Sequence, residues 1–527
     1  MRGGRGLWRI DSGEIGSRFG CVVVERRSSC ASVLWRIYGI VMALGLALFW
    51  VRLTGSVHLM DNDQERPASY VFDIVENGHW ASPHDWSGDL SSKPPLHPWL
   101  SAILSLCNGG VTVWALLLPA SIGMVGAALL VNWIGSKTFG AWAGVLASSA
   151  FLLSPSGFKL VALNRTDGLF VLTVTGVAVW AWRASQTGKG WIGFWLWAAA
   201  ATLTKGPLGI WLGGLGLVHR LWTGPVERRG LRPSRAWVVG MVVYTCVVGV
   251  WLLWAVRSEG QEFLHRMVVQ ELVGHAVGSK YGAWGKGLVE TPFYFVTRFL
   301  PWSPLALLGL WRTIRQPSAA LAERRFERFL SCWIIGGLAT LAMATHQRGD
   351  LVAPLLPPAS LLAGRELAHL SFLTDDRIGR LRAAISVGSA IIALMIYQRV
   401  IVERQKLGRR SESVRQAAYA VVGARRPGEK LVLVDTPFAL EVYLGQTYLR
   451  VPFEQAAARL VAGERVLVGV HDYLRLVGLL GSAANRAEVV PAISGFDDPW
   501  VRFVRLRSRN VRKLAEHGQE DAARRAR

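Results

Sequence analysis

A chain of 527 residues that is 51% apolar, with 24 tryptophans and a mean hydropathy of +0.30, is too long for one compact soluble core and too apolar for an ordinary globular protein. Only 18% of its residues are charged, and they cluster between long apolar runs, which excludes a soluble enzyme, a disordered chain and a small secreted module. The 59 Lys and Arg against 36 Asp and Glu leave a net charge of +23; lying between apolar runs, these cations read as membrane topology and contact with anionic lipid. No basic nucleic-acid recognition module is visible, so nucleic acid is not an expected partner.

In chain order, residues 1–36 form an Arg-rich segment expected in the cytoplasm, followed by an uncleaved first span. About 20 apolar residues cross a bilayer, and on that ruler spans are predicted near 37–54, 111–134, 141–157, 168–183, 191–204, 207–222, 236–256, 291–311, 329–345, 351–363 and 383–400. The fold class is therefore a polytopic α-helical membrane protein of eleven spans, plus or minus two, over residues 37–400. Pro94 to Cys107 is too short to span and is predicted as an interfacial or re-entrant helix. Arg220 and Arg228, Arg312 and Arg315, and Arg365 and Arg377 mark three loops that fall on one side of this count, the cytoplasmic one. The outer loop 55–110 falls on the other side; its stretch 55–92 carries a single arginine, Arg66, and seven acids. After residue 400, β-length apolar runs at Leu431 to Val434, Val466 to Val470 and Val501 to Leu506 alternate with helical stretches, predicting a small α/β domain over 401–507, on the periplasmic (extracytoplasmic) side for an odd number of spans. Residues 508–527 are a charged tail. The five cysteines, Cys21, Cys30, Cys107, Cys246 and Cys332, show no paired spacing for disulfides or zinc.

Three polar constellations fall on the outer side. Asp61-Asn62-Asp63-Gln64-Glu65-Arg66 follows the first span, and Asn77-Gly78-His79-Trp80 and Lys93-Pro94-Pro95 come after it. A lysine fixed by two prolines can meet a lipid phosphate as a point charge; the plainer alternative is a snorkelling lysine at a helix start. Asn164-Arg165-Thr166-Asp167 lies between apolar stretches, where an ionisable group costs about 2.5–3.5 kcal/mol on insertion scales and is a functional candidate by default. Leu203-Thr204-Lys205-Gly206-Pro207 is either turn punctuation or a second phosphate clamp. His346, Arg348 and Asp350 cap an outer turn before Pro354 and offer a possible acceptor or anion contact, whereas His265 and His275 read as isolated interfacial histidines.

The succession Asp63-Gln64-Glu65-Arg66-Pro67, Gly78-His79-Trp80, Lys93-Pro94-Pro95-Leu96, Arg165 with Asp167, Leu203 to Pro207 and Leu300-Pro301-Trp302 resembles the bacterial aminoarabinose transferases and protein O-mannosyltransferase-like enzymes, membrane glycosyltransferases of the GT-C fold. The resemblance covers about residues 37–363 and rests on the order of six motifs. It implies a polyprenyl-phosphate sugar donor, a lipid or protein acceptor, inversion at the anomeric carbon, and a site at the outer face of the cytoplasmic membrane. By the same resemblance Asp63 would orient or deprotonate the acceptor, and Asp167 would complete the acidic pair. Arg66 and Lys93, with Arg165 and Lys205, would hold the donor phosphate.

The sequence also departs from that pattern. Gln64, Pro67 and Ser92 stand where relatives have Glu, Tyr and an acid, and no histidine precedes Pro292 where some relatives have one. Losing that pair leads to the expectation of an enzyme with no metal and no other cofactor. Two other readings compete: a transporter or flippase of a lipid-linked substrate, which would spread polar groups on both sides of the midplane, and a catalytically silent scaffold.

Overall fold

The structure, a computed structural model, describes residues 38–55, 59, 62–222, 234–267, 285–344, 347–372, 389, 393, 396–397, 406–490 and 499–507. The expectations for the segment 1–36, for His275, His346 and the tail 508–527, and nearly all of that for the span 383–400, lie outside these residues.

The helices run α1 Tyr38–Leu53, then α2 Asn62–Asn77, α3 Leu96–Cys107, α4 Val113–Thr138, α5 Ala141–Leu152, α6 Pro155–Leu160, α7 Thr166–Thr187, α8 Trp191–Lys205 and α9 Leu208–Gly214, which passes into a 3-10 turn over Leu215–Trp222. They continue as α10 Arg235–Glu259, α11 Gln261–Leu264, α12 Lys286–Arg298, α13 Ser303–Arg315, α14 Leu321–Ala342 and α15 Leu356–Phe372. Among the described residues three helices, α4, α7 and α10, are long and apolar enough to cross a membrane, or four spans if the bent pair α12–α13 counts as one. Three expected spans are divided. Residues 141–157 split into α5 and α6. Residues 207–222 split into α9 and the 3-10 turn, and 291–311 split into α12 and α13 with a 114° bend between them. Pro301 sits at that last break, where a proline lacks the N–H needed to continue a helix and disfavours helical geometry in the residue before it.

Helix α7 is the hub. In its apolar stretch 89% of residues are buried, against 17% in α10, whose apolar surface faces outward. Helices α4 and α7 meet backbone to backbone: a Cβ on Gly123 would lie 2.4 Å from the Gly168 carbonyl oxygen, and one on Gly168 would lie 2.7 Å from that of Ala120. Glycine is needed there because any side chain would push α7 away. The contact pins the first turn of α7, which carries Asp167.

Arg365 is not a loop residue. It lies inside α15, only 7% exposed, with its guanidinium on Glu327 of α14 and on Glu366; Arg312 of α13 pairs with the other oxygen of Glu366. Two arginines and two glutamates thus neutralise one another between three helices, because buried charges persist only when paired and hydrogen-bonded.

The C-terminal elements are α16 Lys406–Ala424, β1 Lys430–Val434, α17 Ala439–Leu444, β2 Leu449–Arg450, α18 Phe453–Val461, β3 Val466–Val470, α19 Tyr473–Leu480, β4 Ala487–Val489 and β5 Arg502–Leu506. The strands form one sheet of order β2-β1-β3-β5-β4, parallel from β2 to β3 and antiparallel beyond. Val466 to Val470 is buried throughout, as a central strand covered on both faces must be. This unit packs on α2: Val71 and Phe72 share a core with Val414, Ala417, Val421 and Phe438, and Trp86 stacks on Phe438 at 5.3 Å. Its sheet and the acidic loop therefore occupy the same end of the molecule.

Candidate active site

The site is assembled where four chain segments meet, at residues 63–64, 159–167, 205 and 348–350. Gln64, in the first turn of α2, accepts from the Asn164 backbone N–H through its side-chain oxygen at 3.3 Å, and its carbonyl accepts from the Asn164 side-chain amide at 2.7 Å. Both residues are buried. This joint sets Asp63, one residue before Gln64, beside Arg165, one residue after Asn164.

Arg165 then links three carboxylates. Its Nε lies 3.1 Å from Oδ2 of Asp167, Nη1 donates to Oδ2 of Asp350 at 3.0 Å, and Nη2 is 3.9 Å from Oδ2 of Asp63. Lys205, in the last turn of α8, donates to the other oxygen of Asp167. It sits there because α8 ends at Gly206, whose φ of +90° turns the chain away directly after the lysine. Arg348 donates to Oδ2 of Asp63, and Lys159 of α6 reaches both oxygens of Asp350 at 2.9 and 2.8 Å. Four cations and three carboxylates leave one positive charge in excess.

The three acids differ in what they can do. Asp167 is 4% exposed and has a cation on each oxygen, so its task is to hold Arg165 and Lys205 in place. Asp350 is held likewise by Lys159 and Arg165. The Asp63 side chain, 43% exposed, is the one open to an incoming group. Burial pushes the Asp63 carboxyl upward, but the Arg348 hydrogen bond and charge, helped by Arg165, overcome it and hold the carboxyl below its ordinary 3.8. The ionised form is therefore favoured by the fold, and this contribution is complete above pH 3.8 and lost as pH falls through the lowered value. The acid limb that Asp63 gives to a pH–rate profile is expected below pH 3.8. Arg348→Gln removes the strongest lowering influence and should move that limb upward; a limb that stays put in the variant would show that Asp63 is not the group titrating.

Of the residues singled out from the sequence, Asp63, Arg165, Asp167, Lys205 and Arg348 come together here, with Asp350. Arg66 points elsewhere, its Nε 3.5 Å from the buried Asp85. Lys93 lies in the turn before α3, where its backbone N–H and carbonyl both bond the Ser91 hydroxyl. Two neighbours escaped the sequence reading. Lys159 was visible only as one lysine within an apolar stretch. His97, one turn beyond Lys93, is fully buried, and neither ring nitrogen has a partner among the described residues. Burial pushes His97 down to about 4, against the opposing field of Asp167, so it is neutral at physiological pH. A small, largely enclosed cavity of about 20 Å³ adjoins the cluster, walled by Phe170, Leu208, Leu212, Leu341 and Pro354, with Asp167, Lys205 and Asp350 at its polar end.

Residues 92–254 match the family described as dolichyl-phosphate-mannose-protein mannosyltransferase. The chain is 22% identical over 377 residues to an undecaprenyl phosphate-alpha-4-amino-4-deoxy-L-arabinose arabinosyl transferase of Erwinia tasmaniensis, covering 68% of this chain and 64% of that protein. It is 23% identical over 386 residues to a second such transferase of Proteus mirabilis, covering 69% and 66%. The match thus spans just under two thirds of either relative. Among solved structures, ArnT of Cupriavidus metallidurans bound to undecaprenyl phosphate superposes with a TM-score of 0.66 at 17% identity, over 88% of this chain and 97% of that one; its apo form gives 0.65 at 16% identity, over 90% and 98%. The fold is the GT-C fold of membrane glycosyltransferases. Within that class the chain is similar to the aminoarabinose transferases, as its motif order implies.

Proposed function

We propose that this protein is a multi-pass membrane glycosyltransferase that moves a sugar from a polyprenyl-phosphate donor to a lipid or protein acceptor at the outer face of the cytoplasmic membrane. The observation that carries the reading is the pair Arg165 and Lys205, held on the two oxygens of buried Asp167, with the open carboxylate of Asp63 beside it and the apolar side chains of Phe170, Leu208 and Leu212 adjoining it. A lipid-linked sugar phosphate needs fixed cations for the phosphate, apolar surface for its chain, and an acidic group facing the acceptor.

In the reaction, an acceptor oxygen attacks the anomeric carbon, the bond from that carbon to the phosphate oxygen breaks, and polyprenyl phosphate departs with the electron pair. Negative charge grows on the departing phosphate, where Arg165 and Lys205 supply preorganised positive charge. Asp63 orients the acceptor and takes its proton as the new bond forms, for which it must lie within hydrogen-bond reach of the attacking oxygen. Arg348 sets the position and charge of Asp63. No step of this scheme requires a metal ion, and the packing of the C-terminal α/β unit on α2 supports an outer position for both.

Binding of undecaprenyl phosphate to purified protein tests the phosphate assignment without knowledge of sugar or acceptor. A hydrogen bond involving a charged group contributes about 1.5–3 kcal/mol, so Lys205→Met and Arg165→Met should each weaken binding by about ten-fold or more. Undiminished binding in both variants would remove the basis of the reading.

A further inference from the structure

A second cluster of liganding groups lies outside this network. Asp73 of α2 stands between His79 and His84: His79 Nδ1 is 3.0 Å from both carboxylate oxygens, and His84 Nδ1 is 3.5 Å from Oδ2. One ligand atom from each of the three lies within 4.8 Å of the other two. Zn2+ bonds of about 2.0–2.2 Å place tetrahedral ligands roughly 3.4 Å apart, so side-chain adjustments of about an ångström would bring all three onto one ion. The surroundings are also those of a metal site. His84 turns its other nitrogen, Nε2, to Glu259 at the end of α10, at 3.6 Å, the carboxylate–histidine relay that fixes the tautomer of a metal-bound imidazole. Asp73 is itself oriented by the His84 backbone N–H at 2.7 Å and by the Asn77 amide at 2.8 Å. His79 is half exposed, which leaves the position beside it open to water.

We infer that Asp73, His79 and His84 bind a divalent transition-metal ion, zinc by ligand chemistry, with Glu259 as the outer carboxylate on His84. Two imidazoles and a carboxylate are a zinc-type ligand set, and the ion offsets two carboxylates that otherwise face each other across one histidine. Its role is structural and separate from the transfer chemistry. It staples the 79–84 segment to α2 and, through His84, to α10. That segment is already anchored at its middle, where the Trp80 carbonyl accepts from Trp99 Nε1 at 2.7 Å and the Ala81 carbonyl from Trp251 Nε1 at 3.1 Å. The next residue, Asp85, is the one that Arg66 faces.

The experiment is a titration of tag-free, full-length protein in detergent, stripped with a chelator, with ZnCl2 by calorimetry, with CoCl2 absorption as a second readout. The expected result is one equivalent bound with a rise in unfolding temperature, absorption bands of low-coordinate cobalt, and loss of both on His84→Ala or Asp73→Asn. Glu259→Gln, at the edge of the cluster, should keep the fold and weaken zinc about 10–100-fold. The inference is overturned if the folded wild type takes up no zinc, or if Glu259→Gln and His84→Ala bind it as tightly as wild type does.

Discussion

Asp63→Asn is expected to lower sugar transfer about 10²–10⁴-fold, the range for losing a positioned acid–base group, while leaving expression, folding and polyprenyl-phosphate binding intact. The amide keeps an oxygen that can accept from Arg348, so the joint between Gln64 and Asn164 and the contacts of Arg165 with Asp167 and Asp350 persist. What disappears is the negative charge on the most exposed carboxylate of the cluster. The size of the loss is informative about its role. A carboxyl held below its ordinary value is a weak base toward a resting hydroxyl, so a loss near 10² indicates orientation of the acceptor, and a loss near 10⁴ indicates that the proton goes to Asp63 late in bond formation. The readout is the initial rate at saturating donor. Transfer at the wild-type rate in a folded variant would place the acceptor elsewhere.

Arg365→Met is expected to destabilise the helical domain by about 3–5 kcal/mol, the usual cost of removing one member of a buried ion network. The variant strands Glu327 and Glu366, which are 2% and 1% exposed, and among the described residues leaves one paired cation, Arg312 on Glu366. Methionine fills much of the space, so the loss is electrostatic more than a cavity effect. Combining it with Glu327→Gln restores the charge balance and should recover part of the stability. Thermal unfolding in detergent reads both; an unchanged midpoint for Arg365→Met would mean that water reaches the network and the pairing carries little weight.

How far such features can be read from sequence varies with their range. Tyr473 to Leu480 and Val466 to Val470 coincide with a helix and a strand because their patterns are local and their flanks carry Asp472 and Gly481. Arg165 and Asp167 were recognisable because charge in an apolar stretch is costly unless used. The bend within 291–311 had its cue in Pro301, which an unbroken apolar count overrode. Arg365 was misplaced because the same count ended a span at 363, whereas α15 continues to Phe372 with its charges paired inward. The pairings themselves were out of reach. Lys159 and Asp350 are 191 positions apart, and no local pattern says that α6 and the turn before α15 will meet. The same holds for Glu259 and His84: each reads as ordinary interfacial charge until α10 and the outer loop are seen side by side.

The most direct test of the central claim is a transfer assay with purified protein in liposomes, a panel of polyprenyl-phosphate sugars and cell-envelope extract as acceptor, with wild type and Asp63→Asn run in parallel. Labelled sugar should pass from at least one donor to an envelope component with wild type and fall to near background with the variant. No transfer from any donor by folded wild type, in an extract on which a control transferase works, would contradict the assignment and favour a transporter or a silent scaffold built on the same fold.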